Sequence, residues 1–239
     1  HNVNAISGDM LKHIQAEHFF HLAREFNLPL CAGCTTFNAN RINADSAWIA
    51  ESAKLTDREA LGSLLRRCAL DDTAGILITA GNKSLPRKSI VEFGWVVGVP
   101  TAVTSDSYFH VKYVTERSKE KVAADASARD SSGSNLGQAI FHRPASSGIY
   151  AIVCHLELGR IGYNDITQTY DIEQEDRVKR AKAVIQSVLH TFVELNGAMR
   201  ATQLPHLVKL EGAVTWSASG AIPAPLISPL DGTYRAQAK

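Results

Sequence analysis

The chain of 239 residues is 45% hydrophobic and 21% charged, which are ordinary values for a globular protein. Its formal net charge of +1 at pH 7 excludes a global positive field as the basis of RNA or DNA binding, so such a site must come from local groups of lysine and arginine. The sequence contains no secretory signal and no run of 18 apolar residues, so we expect a cytoplasmic protein without a membrane partner.

The first predicted element is a helix over residues 9–27 that follows a short apolar run. Ser7, or the aspartate two residues after it, caps this helix, and Gly8 lets the backbone turn without a Cβ clash. Lys12 and His13 project from the first turns. Because N–H groups at a helix start carry partial positive charge, the segment suits a phosphate; the alternative is a capped helix of the core. The predicted buried face consists of Leu11, Ile14, Phe19, Leu22 and Phe26.

The next segment, residues 30–54, has no clear period, and it contains the first two of four cysteines. Cys31 and Cys34 have the Cys-x-x-Cys spacing of metal ligands or of a redox pair. No second such pair follows, so a zinc site would need two more ligands from distant positions. We therefore expect two reduced cysteines near a glycine turn, with no metal and no cofactor.

A second helix is predicted after Thr56, because a glutamate three residues later completes a capping box. Asp71 and Asp72 follow this helix and form the best acidic pair, with side chains that suit a divalent cation. Adjacent carboxylates after a helix also cap turns, which is the alternative. Strands are predicted at residues 75–79 and 90–99, the second ending before a proline.

Residues 107–114 alternate as a strand, with Tyr108, His110 and Lys112 on one face. An aromatic ring, an imidazole and an ammonium on one face suit RNA bases and phosphates. A solvated strand face is the alternative.

A polar excursion over residues 115–137 precedes two more predicted strands, at residues 138–141 and 149–156. Phe141 and Arg143 lie where the chain is expected to turn between them. A ring at this tip is suited to enter between bases, and the guanidinium is suited to hold the RNA backbone. A loop stabilised by proline is the alternative.

A second long helix is predicted over residues 174–195. A loop follows it, and a final strand is predicted at residues 206–216. In the loop, Met199 suits packing on a base, Arg200 suits a phosphate and Gln203 suits hydrogen bonding; an ordinary helix-to-strand loop is the alternative. The predicted core stripe of the helix is Val178, Ala181, Ile185, Val188 and Phe192, with Arg177, Lys179, Arg180 and Lys182 on the remaining surface.

The order of elements predicts an α+β fold in which two helices cover one face of an antiparallel sheet, the ferredoxin-like pattern. The sequence shows no internal repeat and no domain linker. It also has no motif for a nucleophilic serine, a zinc protease or a phosphate-binding loop, so we expect a protein that is not an enzyme.

Six segments, in this order, resemble the DevR family of crRNA-binding backbone subunits of type I CRISPR surveillance complexes (Cascade), a branch of the RAMP superfamily. The likeness extends over about residues 3–216 and is strongest to the I-A or I-B kind. The segments are residues 4–13, 87–93, 107–114, 141–156, 160–164 and 197–200.

The resemblance implies that residues 1–239 form one modified RRM-like palm with two insertions. A finger insertion is expected within residues 30–86, and a thumb hairpin, or its base, within residues 115–148. The family also has an N-terminal strand, which would lie before residue 1.

The family's copies line up along the crRNA as a helical filament and present it for pairing, without cutting the target. The resemblance therefore implies four partners: crRNA, target DNA paired to the guide, other copies of this chain and other Cascade subunits. By position, residues 7–13 would hold guide phosphates, and His110 would lie on the palm. The predicted RNA-binding residues are Ser7, Gly8, Lys12, His13, His110, Lys112, Phe141, Arg143, Met199, Arg200 and Gln203.

Two other functional classes stay open. One is a metal-dependent ribonuclease of the same superfamily, for which Asp71 and Asp72 would be the metal ligands. The other is a DNA-binding transcriptional regulator, although the sequence has no helix-turn-helix signature.

Overall fold

The computed structural model describes residues 3–113, 138–196 and 204–238, and for residues 110–113 and 138–141 it describes the backbone. The α+β class is confirmed, because helices occur together with small antiparallel sheets. None of the helices in these ranges is both long and apolar enough to span a membrane.

The chain divides into two compact units. The smaller unit consists of His1–Asn4 and Val97–Tyr150, and the larger unit consists of Ala5–Val96 and Ala151–Lys239.

Helices dominate the larger unit, and polar side chains cap several of them. They are α1 (Gly8–Glu25), α2 (Ala32–Thr35), α3 (Ser46–Ser52), α4 (Asp57–Arg67), α5 (Ala69–Ala74), α6 (Gln174–Val193) and α7 (Tyr234–Gln237), with 3-10 turns at Arg41–Ala44 and Leu158–Arg160. Ser7 caps α1 as predicted. The capping box at α4 is also confirmed, since the N–H of Thr56 donates to Glu59 Oε2 at 2.9 Å.

The strands are β1 (Ala5–Ile6), β2 (Ile76–Ile78), β3 (Leu85–Arg87), β4 (Val91–Phe93), β5 (Val96–Tyr113), β6 (Gln138–Ala151), β7 (Cys154–Leu156), β8 (Tyr163–Asn164) and β9 (Thr169–Tyr170). Within the larger unit, antiparallel pairs join β2 to β3, β4 to β7, and β8 to β9. In the β4–β7 pair, Val91 lies opposite Leu156 and Phe93 lies opposite Cys154.

The core of the larger unit lies where α1 packs against α5, α6 and β4. Four of the five residues predicted to form the buried face of α1 are buried, and Phe26 is partly buried. Fully buried large side chains of this core include Phe19, Ile42, Trp48, Leu61, Leu64, Leu65, Leu70, Ile78, Ile90 and Ile161. Each such side chain contributes roughly 1.5–3 kcal/mol through its removal from water.

Helix α6 confirms the long helix predicted over residues 174–195, but its buried face differs from the predicted core stripe. Val178 and Ile185 are 47% and 44% exposed, so their prediction as core residues is wrong, and Arg180 is buried. Arg180 Nη1 donates to Asp72 Oδ2 and to the carbonyl oxygen of Leu65, both at 2.8 Å. A buried ion pair thus turns the helix away from the orientation that apolar spacing alone predicts. Its buried residues are Arg180, Ala183, Val184, Ser187, Val188 and Thr191.

In the smaller unit, β5 and β6 are neighbours in one sheet. Ser105 Oγ and Ser146 Oγ form a cross-strand hydrogen bond of 3.0 Å. Phe141 and Arg143 lie inside β6, so the predicted turn at residues 142–148 is wrong. Gly148 explains how a segment rich in turn residues stays in a strand: its φ of +138° brings its Cα against the carbonyl oxygen of Ala102, where a Cβ would clash.

Two other predicted strands differ from the structure. The strand predicted at residues 90–99 is divided into β4 and β5, and β5 continues through Pro100 instead of ending there. Residues 206–216 form no strand. Alternating apolar residues predict a strand only where a partner edge exists, and Val208 and Val214 are instead more than 90% exposed.

Candidate functional site

A cleft of ≈ 530 Å³ lies in the larger unit beside the first half of α1. Basic, acidic, aromatic and amide side chains face it from two directions, since α1 forms one wall and the segment between α2 and α3 forms another. The cleft is lined by Asp9, Lys12, His13, Ala16, Glu17, Phe37, Asn38, Ala39, Arg41, Leu70 and Ala74. Two of the predicted RNA-binding residues, Lys12 and His13, are therefore brought together with residues that are distant in sequence.

The start of α1 is built by a cap and by close backbone packing. Ser7 Oγ accepts from the N–H of Met10 at 3.4 Å. Gly8 is the first helical residue, and a Cβ at this position would clash with the carbonyl oxygen of Phe93. The expected Cβ clash at Gly8 is thus present, and the group that a Cβ would meet is the end of β4, which α1 approaches closely at this position.

The positive charges of the cleft are those of Lys12 and Arg41. Burial and the neighbouring charge of Arg41 lower the pKa of Lys12, and they outweigh the opposing effects of Asp9 and Glu92. A lowered pKa means that the ammonium is held at a cost in free energy. An anion bound between the two cations would offset that cost, while the carboxylates of Asp9 and Glu17 on the same lining balance the formal charge of the cleft as a whole.

Aromatic rings lie next to these cations. The ring centroids of His13 and Phe37 are 5.7 Å apart, and those of Phe37 and Phe20 are 5.3 Å apart. Phe37 and Arg41 both adopt left-handed backbone conformations, with φ of 52° and 48°. Ring faces beside cations are the combination that holds single-stranded nucleotides, since bases stack on rings while cations contact phosphates.

The predicted RNA-binding residues that follow α1 belong to the smaller unit or lie outside the described residues, so they are not placed relative to this cleft. His110, Lys112 and Phe141 lie on β5 and β6, where only the backbone is described. Arg143 is partly exposed on β6 and has an interaction partner. Met199, Arg200 and Gln203 lie outside the described residues.

Sequence reasoning missed the second wall of the cleft. Phe37, Asn38 and Arg41 belong to a segment without periodicity, so no pattern placed them near α1. The available signal was local: two asparagines and an arginine follow a glycine turn, and such loops often adopt left-handed conformations.

The acidic pair does not form a shared site, because its two carboxylates have different partners. Asp72 accepts from Arg87 Nη2 and Arg180 Nη1, each at 2.8 Å, and from the N–H of Gly162 at 3.0 Å. It is completely buried between the two guanidinium groups. Asp71 instead points toward Cys31 and Cys34. Neither aspartate caps a helix, since the Cys68 side chain caps α5.

Asp71 and three cysteines form a buried cluster in the larger unit. The ligand atoms of Cys31, Cys34, Cys68 and Asp71 all lie within 4.8 Å of one another. Burial, followed by negative charge on Cys31, raises the pKa of Asp71 to about 7. Hydrogen bonds from the other two thiols lower the pKa of Cys31, whereas burial raises that of Cys68.

A family model described as CRISPR-associated negative auto-regulator DevR/Csa2 matches residues 1–239, which is the whole chain. No curated protein matches the sequence.

Proposed function

The chain belongs to the DevR/Csa2 family of CRISPR-associated proteins, and on this premise we propose that it is a non-catalytic subunit that binds crRNA in the backbone of a type I CRISPR surveillance complex. In this role, several copies would bind one guide and present it for pairing with target DNA. Its partners would be the crRNA, the paired target DNA, other copies of the chain and other subunits of the complex.

The observation that carries the proposal is the cleft beside α1. Lys12 and Arg41 supply positive charge, and the rings of His13 and Phe37 supply stacking surfaces. Contacts to phosphates and base faces do not depend on base identity, which suits a protein that must accept any guide sequence.

The larger unit contains the segment in which the finger is expected, together with α1 and α6, and the smaller unit contains part of the segment in which the thumb is expected. We assign the finger to the segment that contains α2 to α5, and the thumb or its base to the ribbon of β5 and β6. The ribbon exposes Tyr108 and Phe109, which are 57% and 72% accessible. Exposed rings on a strand pair are suited to displace or stack nucleotides, as the thumb of this family does.

The first test replaces Lys12 by Gln and measures binding to several unrelated single-stranded RNAs across a range of salt concentrations. We expect a loss of affinity of about 3- to 10-fold for every RNA, because one phosphate contact is removed. The slope of log K against log salt should fall by about 0.7. Arg200→Gln should have a similar effect.

Lys182→Gln is the matched control, because this exposed lysine of α6 does not line the cleft. It should leave affinity unchanged. Binding that depended on RNA sequence and ignored salt would contradict the proposal. So would a Lys12→Gln effect no larger than that of the control.

Incubation with target RNA and magnesium separates the proposal from the ribonuclease alternative. We expect intact RNA. Cleavage that is lost on chelation and in Asp71→Ala would contradict the non-catalytic role. Duplex DNA should not displace bound single-stranded RNA; preferential binding of the duplex would favour a transcriptional regulator.

A further inference from the structure

Three cysteines and one aspartate lie close together at two helix starts that have the same cap geometry. Cys31 caps α2, and the N–H of Cys34 donates to Cys31 Sγ at 3.4 Å. Cys68 caps α5, and the N–H of Asp71 donates to Cys68 Sγ at 3.4 Å. Both turns thus place two ligand types three residues apart, with a backbone N–H directed at the first sulfur. This is the local arrangement in which a Cys-x-x-Cys turn presents two side chains to one ion.

The distances between the four ligand atoms are close to those of a tetrahedral zinc site. Asp71 Oδ2 lies 3.3 Å from Cys31 Sγ and 3.5 Å from Cys34 Sγ. Zn–S bonds of about 2.3 Å and Zn–O bonds of about 2.0 Å separate sulfur from oxygen by about 3.5 Å and sulfur from sulfur by about 3.8 Å in a tetrahedron. Since all four atoms already lie within 4.8 Å of one another, only small side-chain movements are needed to bind an ion.

The second observation is that the buried carboxylate of Asp71 lacks a hydrogen-bond partner for one of its oxygens. Cys31, Cys34, Cys68 and Asp71 are each at most 1% exposed. Asp71 Oδ1 accepts no hydrogen bond from any described residue, and the closest ion-pair contact, to Arg41 Nε, is 3.9 Å long. A buried carboxylate oxygen without a partner is costly. Buried cysteines alone are common core residues, but they do not explain a carboxylate placed among them.

We propose that Cys31, Cys34, Cys68 and Asp71 form a structural zinc site that joins α2 to α5. Three thiolates exclude magnesium and calcium, which prefer oxygen ligands, and a tetrahedral set of sulfur ligands is typical of zinc. Four protein ligands leave no open position, so the ion has a structural role.

The net charge of the occupied site is offset in part by a neighbouring arginine. Three thiolates, one carboxylate and one Zn²⁺ carry a net charge of −2, and the thiol protons leave to solvent as the metal binds. Arg41 lies beside Asp71, with its Nε 3.9 Å from Asp71 Oδ1, whereas the nearby Arg67 is paired with Asp45. The guanidinium of Arg41 therefore offsets part of the negative charge of the site.

The test begins with the full chain produced in zinc-supplemented medium and purified under reducing conditions without chelator. We expect one zinc per chain by elemental analysis. Cobalt titrated into the metal-free protein should produce thiolate-to-cobalt charge-transfer bands and intense tetrahedral d–d bands. Removal of zinc by chelator should lower the melting temperature by about 5 to 15 °C, and added zinc should restore it.

Variants then test the ligand set. Cys34→Ser and Asp71→Asn should lose at least about tenfold in zinc affinity, since each removes or weakens a ligand. Cys154→Ser is the matched control, because Cys154 lies on β7 outside the cluster, and it should retain one zinc. Asp71→Cys should keep the metal and shift the cobalt bands to those of a four-thiolate site. Asp71→Cys therefore tests the ligand set even if Cys34→Ser and Asp71→Asn fail to fold.

A wild-type chain without zinc and without cobalt–thiolate bands would overturn the proposal. A disulfide between Cys31 and Cys34 in the purified protein would overturn it as well, because it removes two ligands. Iron in place of zinc would overturn the assignment of the ion. These outcomes are independent of RNA binding, so they do not depend on the proposed function.

Discussion

At the scale of single residues, Asp45 shows how one carboxylate connects three helices. Its Oδ1 accepts from the N–H of Trp48 at 3.0 Å at the start of α3, and its Oδ2 accepts from the N–H of Ala32 at 3.0 Å at the start of α2. Arg67, at the end of α4, donates to it at 2.9 Å. Because Asp45 is 1% exposed, these bonds hold a buried charge that positions the Cys-x-x-Cys turn.

The free energy of unfolding should depend on pH through the ionisation of Asp45. Burial opposes its ionisation, but the bonds from Arg67, Trp48 and Ala32 prevail and lower the pKa of Asp45 below its usual 3.8. A lowered folded-state pKa contributes stability that is present above pH 3.8 and is lost as pH falls through the folded-state value. We therefore expect Asp45→Asn to cost about 1–3 kcal/mol in free energy of unfolding at pH 7 and less at pH 3.

Urea denaturation at the two pH values measures this difference. Chelator and reductant should be present throughout, so that loss of metal does not contribute. Asp106→Asn is the control, because this exposed aspartate lies on β5, and it should change the free energy by less than about 0.5 kcal/mol at both pH values. A cost for Asp45→Asn that is equal at pH 7 and pH 3 would contradict the interpretation.

Asp72 illustrates why composition does not reveal a catalytic acid. In sequence it stands beside Asp71 as a possible metal pair, but Arg87 and Arg180 bind it from β3 and α6. Both arginines are buried through this contact. A carboxylate held by two guanidinium groups is unavailable to a magnesium ion, so the pair gives no support to nuclease activity.

At the scale of elements, the position of α1 depends on the absence of a side chain at Gly8. The first turn of α1 lies against the carbonyl oxygen of Phe93 at the end of β4, and Lys12 and His13 reach the cleft from the next turn. The same glycine that suggested a phosphate site in the sequence is thus a packing residue.

Gly8→Ala should force α1 away from β4. We expect a loss of about 1–3 kcal/mol in free energy of unfolding, because backbone atoms must move to accept the methyl group. Chemical denaturation measures it. Gly159→Ala is the control, because no atom lies within 4 Å of a Cβ built there. Weakened RNA binding with unchanged stability would instead assign Gly8 a direct contact with the ligand.

At the scale of the whole molecule, the two proposals meet at Arg41. This residue lines the cleft, and its Nε lies near the cluster aspartate Asp71. A Cβ at Gly33, inside the Cys-x-x-Cys turn, would clash with the carbonyl oxygen of Arg41. The cysteine turn and one wall of the cleft therefore share a backbone contact.

Removal of zinc should consequently weaken RNA binding. We expect affinity for single-stranded RNA to fall about 3- to 10-fold when chelator is added to the wild-type chain, because the cleft wall loses its fixed position. Cys154→Ser should respond as the wild type does, whereas Cys34→Ser, which is expected to bind zinc more weakly, should show a smaller response to chelator. Equal affinity with and without zinc would show that the cleft is positioned independently of the metal.

Much of the local structure was predictable, because it depends on neighbours in the chain. The long helices and the caps at Ser7 and Thr56 agree with their predictions. Apolar spacing and capping residues act over a few positions, so the sequence carries that information directly. The family resemblance was likewise visible from ordered segments of the sequence and is supported by the family match over the whole chain.

Only the tertiary structure decided which distant groups meet. It brought Cys68 and Asp71 to Cys31 and Cys34, and it brought Arg41 to Lys12. It also buried Arg180 and kept residues 142–148 in a strand. In each case the structure is decided by an ion pair, a ligand-like contact or a close backbone approach between residues that are far apart in the chain. The periodicity of a sequence reports only neighbours along the chain, so it does not predict such contacts.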